Sequence, residues 1–150
     1  MKSDIESGSV KDLAEIVRLN EKIFQGMYEQ EPYSLEQYKE KIKDKEPIIF
    51  ISKKGEEIIG DSIAFARGES LYVWVLGVAK EYQGKGIGSA LLKKNEQFAR
   101  ENNYKSISVK VYNVSERMQQ LLKQRGYQVV NVEKSKTDSK YDAIHLELKI

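Results

Sequence analysis

Gly84, Gly86 and Gly88 recur at alternate positions in the stretch Gln83-Gly84-Lys85-Gly86-Ile87-Gly88. An apolar run rich in β-branched and aromatic residues, Leu71 to Ala79, precedes them. Ile87, Leu91 and Phe98 follow at helical spacing, with Ala90 and Ala99 beside them. A strand, a glycine turn and a helix start together build an anion site. The first backbone N–H groups of a helix have no intrahelical partner, and the helix dipole favours negative charge there. Glycine lets a ligand approach the backbone with no Cβ in the way. The expected ligand therefore carries phosphate.

Spacing narrows the choice of phosphate ligand. A P-loop needs a glycine five positions before the Gly-Lys pair and a Ser or Thr after it. Ala79 and Gly86 stand at those positions. A dinucleotide fingerprint needs a third glycine where Ser89 sits, and an acidic residue at the end of the next strand. That strand ends Lys110-Val111-Tyr112 and offers none.

The elements that must position this turn read as follows. Ile5 to Ser9 is the end of a first strand, and Ser9 caps a helix to about Phe24 with Leu13, Ile16 and Val17 inward. Ser34-Leu35-Glu36-Gln37 reads as the capping box of a short helix to about Lys43. Ile48 to Ser52 and Ile58 to Ala66 form a hairpin about Lys53-Lys54-Gly55-Glu56, and Leu71 to Ala79 is the central strand. A helix from Gly86 to about Asn102, a strand from Lys105 to Val111 and a helix from Ser115 to Arg125, stopped by Gly126, come next. Tyr127 to Val132 and Ile144 to Leu148 are closing strands, and the charged stretch Glu133 to Asp142 between them reads as a mobile loop.

Composition fits one domain over residues 1–150. Charged residues make up 32% and hydrophobic residues 40%, ordinary for a globular chain. A net charge of +2 with interspersed signs lacks the basic stripe of a nucleic-acid binder. With no cysteine there is no disulfide and no cysteine nucleophile, and a single histidine argues against a transition-metal site. No apolar run reaches membrane-spanning length and no signal-peptide segment is visible, so no membrane partner and a cytoplasmic location are expected.

The glycine stretch closely resembles the Gln/Arg-x-x-Gly-x-Gly/Ala motif of the GCN5-related N-acetyltransferases, the GNAT family. Leu76-Gly77-Val78 is similar to the end of that family's central strand, and Leu121-Leu122-Lys123-Gln124-Arg125-Gly126-Tyr127 resembles its second signature, a helix ending in Gly-Phe or Gly-Tyr. The likeness covers the central and C-terminal half; the first 70 residues match only in element order. It implies a mixed α/β (α+β) acyl-CoA N-acyltransferase fold, a central, mostly antiparallel twisted sheet flanked by helices. It also implies acetyl-CoA as donor, a primary amine as acceptor, direct attack in a ternary complex, and a monomer or homodimer without metal.

By the same resemblance, backbone N–H groups of Gln83, Gly84, Lys85, Gly86, Ile87, Gly88 and Ser89 cradle the pyrophosphate. Backbone groups of Leu76, Gly77 and Val78 pair with the pantetheine arm, and the Val78 amide faces the developing oxyanion. Lys85 reads equally as a phosphate contact and as a solvated turn lysine. Asn113 follows the strand where the family often carries a pantetheine-binding asparagine, but counting back from Gly126-Tyr127 puts that position on Ser115. Asn113 reads equally as a helix N-cap, with Glu116 completing the pair.

That count also places Leu122 where many relatives have a proton-donating tyrosine. Tyr112, Tyr127 and Tyr82 are the other tyrosines near the expected site, and a thiol pKa of about 8.5 makes the acid dispensable. Glu69, just before the central strand, is the first choice of general base, directly or through water; His145 has a suitable pKa but sits in a terminal strand. Trp74 is either core or a wall of the acceptor cleft. Tyr28, Glu29, Glu31 and Tyr33 place carboxylates beside aromatics, which suits a cationic amine. The alternative to an enzyme is a non-catalytic acyl-CoA-binding sensor or regulatory module on the same fold.

Overall fold

The computed structural model describes residues 5–27 and 31–150. Seven strands form one sheet in the order β1-β2-β3-β4-β5-β7-β6. They are β1 (Ile5–Ser7), β2 (Ile48–Lys54), β3 (Glu57–Arg67), β4 (Ser70–Val78), β5 (Ser106–Tyr112), β6 (Gln128–Glu133) and β7 (Ala143–Lys149). Every neighbouring pair is antiparallel except β4 and β5, which run parallel. Four helices cover it: α1 (Leu13–Phe24), α2 (Leu35–Ile42), α3 (Ile87–Glu101) and α4 (Glu116–Gln124). This is the mixed, mostly antiparallel architecture that the resemblance implies.

Local chemistry sets the helix starts. Ser34 Oγ accepts from Gln37 N at 3.2 Å while Gln37 Oε1 accepts from Ser34 N at 2.8 Å, the capping box read from the spacing. Ser9 caps in the same way, but the turn it opens, Val10–Asp12, is 3₁₀ before α1 begins. The sheet has a packed layer on each side. Leu91 and Leu92 of α3, Leu122 of α4, Ile107 and Leu146 fill one. Leu13 and Ile16 of α1, Ile42 of α2, Ile51 and Ile63 fill the other. Along β5 the faces alternate: Ile107, Val109 and Val111 are buried, and Ser106, Ser108, Lys110 and Tyr112 take the opposite side.

The stretch between β6 and β7, expected to be a loop, is one, and it is built from turns. Ser135 N donates to the buried Asp142 carboxylate at 2.8 Å, and Asp138 caps a 3₁₀ turn, Ser139–Tyr141. Asn113 N and Val114 N donate to the carbonyls of Asp142 and Lys140, each at 2.9 Å. Short Asp and Ser side chains satisfying nearby backbone groups organise a stretch whose charge alone reads as solvated.

One relationship in the sheet positions the site. β4 and β5 stay in register from Ser70↔Ser106 to Val73↔Val109, and there the pairing ends. Ile63 of β3 faces Val75 and Ala64 faces Val73, so Trp74 is the extra residue of a β-bulge. Beyond it β4 runs on to Val78 and β5 to Tyr112 with no ladder between them.

Candidate active site

The parting of β4 and β5 opens into a cavity of about 860 Å³. One end is aromatic, with Tyr33, Tyr38 and Trp74; the other reaches Gly84 and Gly86 of the glycine turn.

The β4 edge facing this gap is chemically open. In an antiparallel ladder, successive residues turn their N–H and C=O to opposite edges. Ala79 N donates to Ile59 O at 2.8 Å, and Gly77 lies opposite Asp61 in the same register, so Gly77 bonds toward β3. Leu76 and Val78 therefore turn their backbone groups toward the gap. Gln83 Nε2 takes the Val78 carbonyl at 3.0 Å, which fixes the turn against the strand end and leaves the Val78 N–H free of that bond. Gly77 makes no wall of the cavity: a Cβ there would lie 3.0 Å from Ile23 and 3.1 Å from Asn20, so its bareness lets α1 pack on β4.

The glycine turn has the form of an anion cradle. Gly84 and Gly86 have φ of +80° and +88°, the left-handed region where side chains are strained. A Cβ on Gly86 would meet nothing within 4 Å, so its missing side chain reflects backbone shape and space for a ligand rather than packing. Gly86 is the N-cap of α3 and no side chain caps that helix. The N–H groups of Ile87, Gly88 and Ser89 thus stand at an uncapped helix start. Gly88 has a second reason to be bare, since a Cβ would lie 3.3 Å from Leu121 of α4. Arg117 of α4 brings a guanidinium nitrogen within 3.8 Å of where a Gly84 Cβ would be, adding a cation that the sequence reading missed.

Other expected residues fall differently. Ile87 and Ser115 line the cavity; Ser115 is the N-cap of α4 and its side chain makes no cap bond. Lys85 is not part of the lining, and its ammonium lies 5.5 Å from the ring centroid of Tyr82, which is part of it. Ser89 lines the cavity, but its hydroxyl accepts from Arg125 at 3.2 Å. Asn113 is neither helix cap nor cavity wall: its Nδ2 donates to Ser139 O at 3.2 Å, because the Ser139 turn folds back onto it.

Among the catalytic candidates, Tyr112 and Tyr82 line the cavity. Tyr127 does not: it is buried and donates to Glu96 at 3.0 Å, and burial followed by the Glu96 charge raises its pKa. Leu122 is fully buried in the core; the α4 side chains at the cavity include Glu116, Arg117, Met118 and Leu121, none of them a tyrosine. Glu69 is corrected outright. It precedes the first residue of β4, exposed and paired with Lys105 at 3.5 Å. At about 3.3 Å per residue the strand puts it more than roughly 20 Å from Val78. His145 is bonded to Glu133 at 2.6 Å and lines no part of the cavity.

At the aromatic end, Trp74 resolves as a cleft wall, with its ring centroid 5.0 Å from that of Tyr38 and 6.1 Å from that of Tyr33. Tyr28 and Glu29 lie outside the described residues. Glu31 is exposed, accepts from Gln25 at 3.4 Å and is not part of the wall. Behind Tyr38 lies a buried polar chain: Asn20 Nδ2 donates to the Tyr38 hydroxyl at 3.1 Å and to Asp61 at 3.0 Å. Burial pushes the Asp61 carboxyl up to about 8, against the opposing Asn20 hydrogen bond. Among the described residues no group of His, Cys, Asp or Glu could hold a metal ion, and no helix is long and apolar enough to cross a membrane.

Comparison with known proteins places this arrangement. Three solved structures share the fold. The ribosomal-protein-S18-alanine N-acetyltransferase from Escherichia coli has a TM-score of 0.83 at 18% identity, over 99% of this chain and 94% of its own. Ard1 from Thermoplasma volcanium has a TM-score of 0.83 at 16% identity, over 100% and 99%. A GNAT superfamily phosphinothricin acetyltransferase from Sinorhizobium meliloti, in complex with AcCoA, has a TM-score of 0.83 at 17% identity, over 100% and 89%. No curated protein matches the chain in sequence. The sequence profile of the Acetyltransferase (GNAT) family matches residues 13–127, from the start of α1 through Tyr127, and the chain belongs to that family.

Proposed function

We propose that this chain is an N-acetyltransferase that binds acetyl-CoA between β4 and β5 and transfers its acetyl group to a primary amine by direct attack in a ternary complex. One observation carries the reading: the open β4 edge at Leu76 and Val78 leads directly to the uncapped start of α3. An extended amide-bearing arm ending in a pyrophosphate fits that sequence of groups. The relative solved with AcCoA supports the same donor.

Acetyl-CoA supplies the acyl group as a thioester. The backbone at Leu76 and Val78 holds an extended chain as a strand would. Turn amides and Arg117 meet the phosphates. The Val78 N–H faces the gap as a donor for negative charge on the carbonyl oxygen. Tyr112, at the end of β5, is the phenol we place nearest the leaving sulfur, as its proton source. Among the described residues the lining holds one carboxylate, Glu116 at the start of α4, and no histidine, and we route the amine proton to water.

A coenzyme-binding sensor is the second reading, favoured by the absence of a tyrosine from α4. Thiol release from acetyl-CoA across a panel of amines separates the two. An enzyme releases thiol with at least one acceptor; a sensor gains thermal stability from the coenzyme and releases none.

A further inference from the structure

In and beside the aromatic end of the cavity, cations gather on aromatic rings; Lys110 belongs to the lining, and Lys41 and Arg67 stand outside it. Lys110 lines the cavity with its ammonium 5.7 Å from the Tyr112 ring centroid. Lys41 of α2 stands 5.9 Å from the Trp74 ring, and the Arg67 guanidinium is stacked 3.8 Å over Tyr72. They come from β5, α2 and the end of β3, so the fold and not the local sequence brings them together. None of the ion pairs among the described residues includes Lys110, Lys41 or Arg67. One carboxylate, Glu133, acts on Lys110, and a second, Glu147, stands in the neighbouring strand. Glu133 is bonded to His145, and Glu147 lies opposite Ser108 in the β5–β7 register. Burial lowers the Lys110 pKa most; the Glu133 charge comes next and raises it, and the charges of Lys41 and Arg67 lower it further. Lys41 and Lys110 are half-buried and Arg67 is exposed, and three cations against the single Glu133 carboxylate repel unless a further anion sits among them.

We infer that the acceptor is a small amine carrying its own anionic group, a carboxylate or phosphonate, held by Lys110 with Arg67 and Lys41 while its body lies on Trp74. This rests on the N-acetyltransferase reading, and it replaces the expectation of an acidic, cation-selecting cleft. A charge-assisted contact fixes one end of the acceptor and leaves the amine to reach the thioester side of the gap.

Matched pairs test it on the full chain saturated with coenzyme A. Calorimetry compares phenylalanine with phenylalaninamide, and aminoethylphosphonate with ethylamine. Thiol release from acetyl-CoA is followed with the same compounds. The amide's amine is the more readily deprotonated of its pair, so reactivity alone favours it. The anionic members are expected to bind and react about tenfold better or more, and Lys110→Gln to remove about that factor for them alone. Which anionic member prevails separates carboxylate from phosphonate. Arg67→Gln, at an exposed position, is the second variant should Lys110→Gln fold poorly. Equal or better handling of the uncharged members or of polyamines overturns the inference while acetyl transfer stands. Failure of every anionic amine to bind also overturns it. Coenzyme binding with no thiol release from any amine instead sinks the enzymatic reading, and this inference falls with it.

Discussion

Arg125 at the end of α4 and Glu96 in the middle of α3 form a two-point ion pair, with Nε donating to Oε2 at 3.0 Å while Nη2 meets the other oxygen. Glu96 is buried, and Tyr127 adds a third donor to it. Arg125 also reaches Ser89 in the first turn of α3. The pair therefore locks α4, which carries Arg117, against the helix that holds the glycine turn. Glu96→Ala strands a guanidinium and a buried phenol together. It should destabilise the fold by about 3 kcal/mol, as loss of one partner of a buried pair does. Denaturant melts of the two proteins check this. A loss under about 1 kcal/mol means that the pair does not lock the two helices together.

Gly86→Val tests the cradle. Its φ of +88° strains any side chain, at roughly 1–2 kcal/mol, and the new methyls project into space that is empty of protein. The variant should fold with a lowered Tm, and saturating coenzyme A should no longer raise it. Comparison with the variant's own melting curve without coenzyme separates strain from lost binding. An undiminished coenzyme-induced rise means that the glycines serve the turn alone.

Legibility followed locality. The glycine turn, the helix it opens and the Ser34 capping box could be read because each is specified within a few residues. The gap was only implied, since it depends on where the β4–β5 pairing stops. Glu69 misled because adjacency to a strand does not tell which end faces the cavity; the lining takes in Leu76 and Val78 at the other end of β4. Counting back from Gly126 reached Leu122, but the helix turns about 100° per residue, and it is Leu121 that faces the cavity. Lys110 had a visible signal, the polar side of an alternating strand. Its convergence with Lys41 and Arg67 joins three elements distant in sequence, and no periodicity announces it.

Tyr112→Phe tests the proton source. The phenol lines the cavity at the end of β5, whereas Tyr127 is sequestered against Glu96. A general acid contributes about a hundredfold or more. Tyr112→Phe should therefore lower kcat by about that factor with coenzyme affinity intact, and Tyr82→Phe should keep most of the turnover. A Tyr112→Phe enzyme at near-full kcat shows that the thiolate leaves unaided, which its ordinary pKa of about 8.5 permits.

Asp61 gives the fold a dependence on pH. Its carboxyl is fully buried and titrates at about 8 in the folded chain, against about 3.9 when unfolded. Between those values the folded state binds more protons than the unfolded state, so stability falls as pH rises across the window. Below about pH 4 both states are protonated and the full stability is present; above about pH 8 both are ionised and the decline from this group stops. Asp61→Asn removes the titration and keeps a polar group beside Asn20. Denaturant melts of both proteins at pH 5 and pH 8 should show the variant gaining on the parent as pH rises, by at least about 1 kcal/mol. A difference that stays constant between the two pH values means that the Asp61 carboxyl ionises in the fold as readily as in the unfolded chain.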